Sequence, residues 1–240
     1  EATKFSADLL DADKTYEAEL HLGVTTDSGD AEGRVAATAA VDVDAEAISG
    51  VLARFTGRLA QVPPMHSALK RDGRPLYELA RQGIEVERQP REVTIHALEC
   101  LGLAGDRLRL RVACSKGTYV RVLAADIGAA LGCGAHLSAL RRTRVGKLDL
   151  AAAVTLAALE SLDETTRPAM LLPVDALLAG LPALELDGLA AQRFRHGNPV
   201  DLPSGIADKA RVYAEGRLLG LGEAHADGRL WPKRLVQLVQ

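Results

Sequence analysis

One stretch constrains this chain more than any other. Leu108, Leu110, Val112 and Cys114 alternate with Arg107, Arg109 and Arg111. A period of two places the apolar set on one face of a strand and the arginines on the other, so the segment belongs to a sheet with one covered face. Gly105-Asp106 just ahead of it is a turn signal, and a second strand is predicted before that turn. Tyr16, Ala18, Leu20 and Leu22 alternate in the same way with Glu17, Glu19 and His21.

Helical spacing follows these strands. Asp44 caps a predicted helix with Ala47, Ile48, Val51, Leu52 and Phe55 on its apolar side and Gly57 beyond its end. A second runs through Val120, Leu123, Ala124, Ile127 and Leu131 to Gly132. Val24 to Gly33 reads as loop, Asp72-Gly73 as a hairpin turn, and Pro75 as the opening of a short helix from Leu76 to Gln82. A further helix is expected after Thr155. Pro168, Pro173 and Pro182 punctuate the chain up to a change of character. Beyond it, Glu215-Gly216 and Asp227-Gly228 separate short apolar runs such as Leu218 to Leu221 and Leu235 to Val239. The expected class is α+β: a mixed, mainly antiparallel sheet with flanking helices over 1–182, then a small β-rich domain over 183–240.

Hydrophobic residues make up 48% of the 240 and charged residues 25%, enough to bury a core and too much to leave the chain disordered. No apolar run approaches the ~20 residues of a membrane span, and no secretory leader pattern is visible. Three cysteines without C-x-x-C spacing argue against a disulfide framework or a zinc site and for a reducing, cytoplasmic setting. The net charge of −3 hides a partition. Residues 1–50 carry 3 basic and 12 acidic side chains, whereas residues 51–150 carry 17 and 9. A basic middle in an acidic chain fits a polyanionic partner, although a solvated face would read the same way.

Two segments concentrate that charge. Leu140-Arg141-Arg142-Thr143-Arg144-Val145-Gly146-Lys147 suits phosphate contact, or alternatively a strand edge guarded by charge. Lys116-Gly117-Thr118-Tyr119-Val120-Arg121 lies at a strand-to-helix junction, where side chains and free N–H groups meet ligands. Tyr119 could stack on a base and Arg121 pair with an anion; a core tyrosine and a surface arginine would look alike. Pro64-Met65-His66-Ser67-Ala68-Leu69-Lys70 is too apolar for a plain loop, and no phosphate-binding glycine loop or nucleophile elbow occurs.

Taken in order, Lys14-Thr15-Tyr16, Asp27-Ser28-Gly29-Asp30-Ala31-Glu32-Gly33, Pro63-Pro64-Met65-His66-Ser67-Ala68-Leu69-Lys70, Gly73-Arg74-Pro75-Leu76-Tyr77, Cys114-Ser115-Lys116-Gly117-Thr118-Tyr119-Val120-Arg121 and Gly132-Cys133-Gly134-Ala135-His136-Leu137 resemble the TruB-type pseudouridine synthases. Arg195-His196-Gly197-Asn198-Pro199-Val200 resembles the start of that family's PUA-like RNA-binding domain. The resemblance implies an isomerase that flips the T-loop uridine of tRNA into a pocket without cofactor or metal. It implies a catalytic Tyr16 that stacks on the base and assists proton transfer, and a catalytic Arg121 that pairs with the nucleophilic aspartate. Tyr119 and Leu140, with Tyr16, would line the uracil pocket, and Arg141, Arg142, Arg144 and Lys147 would hold RNA. The implied enzyme is a cytoplasmic monomer whose partner is the tRNA T-arm.

The family's nucleophile sits in a G-x-L-D-P-x-A-[TS]-G-type motif, and no such motif occurs here. The chain opens on Glu1 rather than Met. It therefore reads as the enzyme without the segment that carries this aspartate, and as inactive alone. Arg121, lacking that partner, is expected to turn to solvent, to a nearby acid such as Asp126, or to an anion. The other reading is a non-catalytic RNA-binding or tRNA-folding module.

Overall fold

The computed structural model describes residues 1–237. It divides into two compact units: Ala12–Val145, and Glu1–Asp11 with Gly146–Gln240, the latter described as far as Gln237.

The Ala12–Val145 unit holds β1 (Lys14–Leu22), β2 (Val24–Thr26), β3 (Val35–Thr38), α1 (Ala45–Arg54), β4 (Gly57–Gln61), β5 (Lys70–Arg71), β6 (Arg74–Pro75), α2 (Leu76–Arg81), β7 (Arg91–Ala104), β8 (Arg107–Cys114), α3 (Val120–Ala130) and β9 (Ala135–Val145). Its main sheet runs β9-β1-β8-β7-β4, and every neighbouring pair is antiparallel. The predicted alternation sets the register. Tyr16, Ala18 and Leu20 lie opposite Val112, Leu110 and Leu108, and paired residues share a face. That face is covered by Ile48, Val51 and Leu52 of α1 and by Val120, Leu123, Ala124 and Ile127 of α3. Each such buried aliphatic side chain contributes roughly 1.5–3 kcal/mol.

Local signals end the elements where expected. The Asp44 carboxylate accepts from the Ala47 N–H at 2.8 Å at the start of α1, a cap that contributes about 1 kcal/mol. Asp72 and Gly73 both take positive φ (50° and 81°) in the β5–β6 turn, the pair of angles a type I′ hairpin requires. Gly128 has a packing reason. A Cβ there would lie 2.2 Å from the Ala135 nitrogen, so only glycine lets α3 rest on the start of β9. One expectation is corrected: Val24–Thr26 is not loop but a short strand paired with β3. Its side chains are half-buried and do not alternate, so the period-two signal is missing.

The apolar residues around Met65 form a small cluster of their own. Met65, Leu76 and Leu79 are buried together, with Leu69 and Val86 against them.

The second unit contains β10 (Leu148–Asp149), α4 (Leu156–Ser161), β11 (Ala183–Glu185), α5 (Gly188–Arg195), β12 (Val200–Asp201), β13 (Lys209–Ala214), β14 (Arg217–Ala224) and β15 (Arg229–Leu235). Its sheet runs β11-β13-β14-β15-β12, with only β11 and β13 parallel. Both predicted hairpins are present, at Glu215-Gly216 and Asp227-Gly228. Of the last apolar run, Leu238 and Val239 lie outside the described residues. Phe194 and Ala191 of α5 pack on Val212, Ala214, Leu219 and Leu230 of the strands. This is the small β-rich, PUA-like C-terminal fold expected, on a mixed α+β chain.

The compact units do not divide at 182. The 3-10 segment Ala2–Leu10 buries Phe5 completely with Leu178 and Leu221. Asp8 pairs with Lys209 at 2.9 Å, and Lys4 donates to the Leu235 carbonyl. The first eleven residues therefore pack with the C-terminal strands, and Asp8 is held in an ion pair rather than left in solvent.

Candidate active site

The site residues of the Ala12–Val145 unit fall in two groups. The first lies along β1 and β9. Tyr16 is 9% exposed and packs in the main core cluster of the sheet. The register places Leu140 opposite Ala18, and Arg142 opposite Tyr16. The Arg142 guanidinium lies 5.4 Å from the centre of the Tyr16 ring, within cation–π range. Leu140 is 47% exposed although it shares the face of the core. Tyr16, Leu140 and Arg142 thus form one patch on the helix-covered side of the sheet.

The basic run does not act as one surface. Arg141 lies opposite Glu17 and Arg144 opposite Thr15, on the reverse face. There Glu17, Arg111 and Glu99 form a row of charges, with Arg111 3.8 Å from Glu17 and 2.8 Å from Glu99. Lys147 falls beyond β9, in the other unit. A strand's period of two separates neighbours that a charge count groups together.

The second group surrounds the start of α3. Gly117 turns the chain at φ 80°, and the Thr118 hydroxyl donates to the Ser115 carbonyl at 3.0 Å. Buried Gln61, at the end of β4, clamps the next residue: its Oε1 accepts from the Tyr119 N–H at 2.8 Å and its Nε2 donates to the Tyr119 carbonyl at 3.2 Å. Two residues on, Arg121 is neither in solvent nor on Asp126. Its Nη1 donates to Asp30 Oδ2 at 2.6 Å, and Nη2 donates to the His66 carbonyl. Of the expected alternatives it is a nearby acid that Arg121 finds, but Asp30 rather than Asp126, because the loop after β2 supplies the carboxylate.

Asp30 is tuned for this role. Burial works against its charge, but the Ser28 hydroxyl at 2.6 Å and the Arg121 guanidinium outweigh it and hold the carboxyl below the usual range. Burial pushes the Asp126 carboxyl the other way, up. A polar cleft of about 340 Å³ opens beside the pair, lined by Asp27, Asp30, Arg34, His66, Arg81 and Arg121. Its cations and carboxylates suit a polar, hydrogen-bonding ligand rather than an apolar one. Neither Gln61 nor Asp30 was singled out from sequence. Asp30 lay inside a quoted motif, but its partner is 91 residues away.

Comparison with known proteins gives this arrangement a context. Residues 1–120 match the model for the TruB family pseudouridylate synthase N-terminal domain. The chain belongs to the TruB family. Residues 121–179 match the tRNA pseudouridylate synthase B C-terminal domain, and residues 182–236 the pseudouridine synthase II TruB C-terminal model. This TruB-family chain is 71% identical over 238 residues to tRNA pseudouridine synthase B of Dechloromonas aromatica (strain RCB), covering 99% of itself and 80% of that relative. It is 59% identical to the protein of the same name from Aromatoleum aromaticum, over 100% of itself and 78% of that relative. Among solved structures it resembles a chain of a Cbf5-Nop10-Gar1 complex, with a TM-score of 0.68 and 27% identity over 92% of this chain and 63% of that one. A chain of an H/ACA RNP bound to a substrate RNA containing 2'-deoxyuridine is similar at a TM-score of 0.67 and 26% identity, over 92% and 62%. The TruB-family chain spans under two thirds of each of these solved chains. Its mixed α+β architecture is that of the family.

Proposed function

We propose that this chain is the body of a tRNA pseudouridine synthase acting on the T-loop uridine. The reaction is an internal rearrangement: the N1–C1′ bond breaks, a C5–C1′ bond forms, C5 loses its proton and N1 gains one. Tyr16 stacks on the flipped base and assists the proton transfer. Tyr119 and Leu140 line the uracil pocket. Arg121, held by Asp30, presents its guanidinium to the attacking carboxylate. Arg142, on the face of Tyr16, contacts RNA phosphates, and residues 183–240 form a PUA-like RNA-binding domain that follows a catalytic domain over 1–182 in the chain. The enzyme works as a cytoplasmic monomer.

The observation that carries this reading is Tyr16: a largely buried ring on the same sheet face as Leu140, with the Arg142 guanidinium over it. The attacking carboxylate is assigned to no residue here, since the family's aspartate motif does not occur in the 240 residues. The test is tritium release from 5-tritiated uridine in a tRNA T-loop. Release is expected once the family's aspartate motif is joined upstream, and not when its aspartate is asparagine. The 240-residue chain alone is expected to bind the RNA without release. Release by that chain would move the nucleophile to one of its own aspartates, Asp30 first.

A further inference from the structure

The Gly132-Cys133-Gly134-Ala135-His136-Leu137 segment has no role in the reading above. His136 is 7% exposed, on the opposite strand face from its core neighbours Ala135 and Leu137, and its ring lies 5.2 Å from that of His21 on β1. Its Nδ1 lies 2.9 Å from the Val24 carbonyl, 112 residues away. A carbonyl only accepts, so Nδ1 carries the proton. Val24 opens β2, and the loop beyond β2 carries Asp30.

The backbone repeats this attachment on both sides of the histidine. The Gly23 N–H donates to the Gly134 carbonyl at 2.9 Å, and the Leu137 N–H to the Gly29 carbonyl at 3.0 Å. Asp30 and Leu137 form a parallel bridge. Gly134 takes φ +73°, and a Cβ there would lie 2.6 Å from Thr25. Gly29 takes φ +75°, with the Arg121 backbone 3.6 Å from where its Cβ would be. The loop is therefore pressed between the start of β9 and the first turn of α3. A contiguous path runs from His136 through Leu137 and Gly29 to Asp30 and Arg121.

We infer that His136 is a positioning residue, whose hydrogen bond to Val24 fixes the loop that presents Asp30 to Arg121. Its bearing on catalysis rests on the reading of Arg121 above; the attachment itself does not. An apolar side chain would fill the same space, but it would remove the part-buried hydrogen bond to the Val24 carbonyl. The loop around Asp30 is otherwise short of apolar anchors, since residues 27–34 are half-buried or exposed. Such a segment opens easily when one attachment is lost.

Two polar substitutions isolate the bond. Asparagine places an amide N–H near the position of Nδ1, whereas glutamine's longer amide matches Nε2. Amide hydrogen exchange over residues 24–34 of the whole chain is the readout. His136→Gln and His136→Leu should speed exchange there about tenfold, the effect of one lost hydrogen bond on local opening. His136→Asn should restore the wild-type rate, and α1 and β8 should be unaffected in all three. If His136→Leu fails to fold, the Asn and Gln pair still decides. Equal exchange in Asn and Gln, or a rise spread evenly through α1 and β8, overturns the proposal and leaves His136 a packing residue. Turnover of the enzyme carrying the aspartate motif is a separate arm: kcat should fall in the Gln variant while KM for tRNA holds. A loosened loop with unchanged kcat supports the attachment and overturns the reading of Arg121.

Discussion

Asp30 and Arg121 stand 91 residues apart in the chain and meet at 2.6 Å, with both side chains about three-quarters buried. The arginine is thus held before any substrate carboxylate or phosphate reaches it. Removing one partner strands the other. Asp30→Ala should lower unfolding stability by about 1–3 kcal/mol, since a partly buried charge loses its counterion. Asp30→Asn, which keeps an acceptor, should cost less. Urea denaturation of the three proteins checks the order.

The same pair sets a pH dependence. The folded-state pKa of Asp30 lies below the ordinary carboxylate value. Its contribution is therefore fully present above about pH 4 and is lost as pH falls through the lowered pKa. The urea midpoints of wild type and Asp30→Asn should keep a constant gap from pH 7 to about pH 4 and converge below it. A gap that closes between pH 7 and pH 5 would mean another group is responsible.

RNA binding should distinguish two adjacent arginines. Arg142 shares a face with Tyr16, and Arg141 lies opposite Glu17 on the reverse face. Arg142→Ala should weaken tRNA binding and lower the slope of log K against log salt by about one. Arg141→Ala should change the slope less. Equal effects would place RNA on both faces.

Tyr16 separates stacking from proton transfer. Tyr16→Phe keeps the ring and loses the hydroxyl, and should bind tRNA while losing most of its turnover. Tyr16→Leu should lose both. Near-normal turnover in the Phe variant would reduce the residue to stacking.

Much of this fold is legible in the sequence because its signals are local. The alternation in β1 and β8, the Asp44 cap and the Asp72-Gly73 turn each need only a few neighbouring residues. The Asp30–Arg121 pair and the Gln61 clamp on Tyr119 are not legible that way. Nothing near Gln61 announces a partner 58 residues on. The basic run was visible as charge, but only strand register shows that it splits. Nor does any local signal show where Phe5 goes, since its pocket is built from residues more than 170 positions away.

That pocket gives a direct test. Phe5→Ala should destabilise the unit containing it by about 3–5 kcal/mol. Trp231, the one tryptophan of the chain, lies in that unit and reports its unfolding by fluorescence. An unchanged midpoint would remove Phe5 from the core.

The Gln237 N–H donates to Glu1 Oε2 at 3.2 Å, and Arg234 donates to the Lys4 carbonyl. Contacts that span more than two hundred residues set an order of events on the ribosome. In the Ala12–Val145 unit the described strands β9-β1-β8-β7-β4 are all made once Val145 has emerged. Its neighbour draws Ala2–Leu10 and β15 from either side of that unit in the chain and must wait for β15 to close. During synthesis Phe5 is an exposed apolar side chain with no seat, available to chaperones until the last strands arrive. Folding of the two units is thus staggered by the connectivity alone, the inner one first.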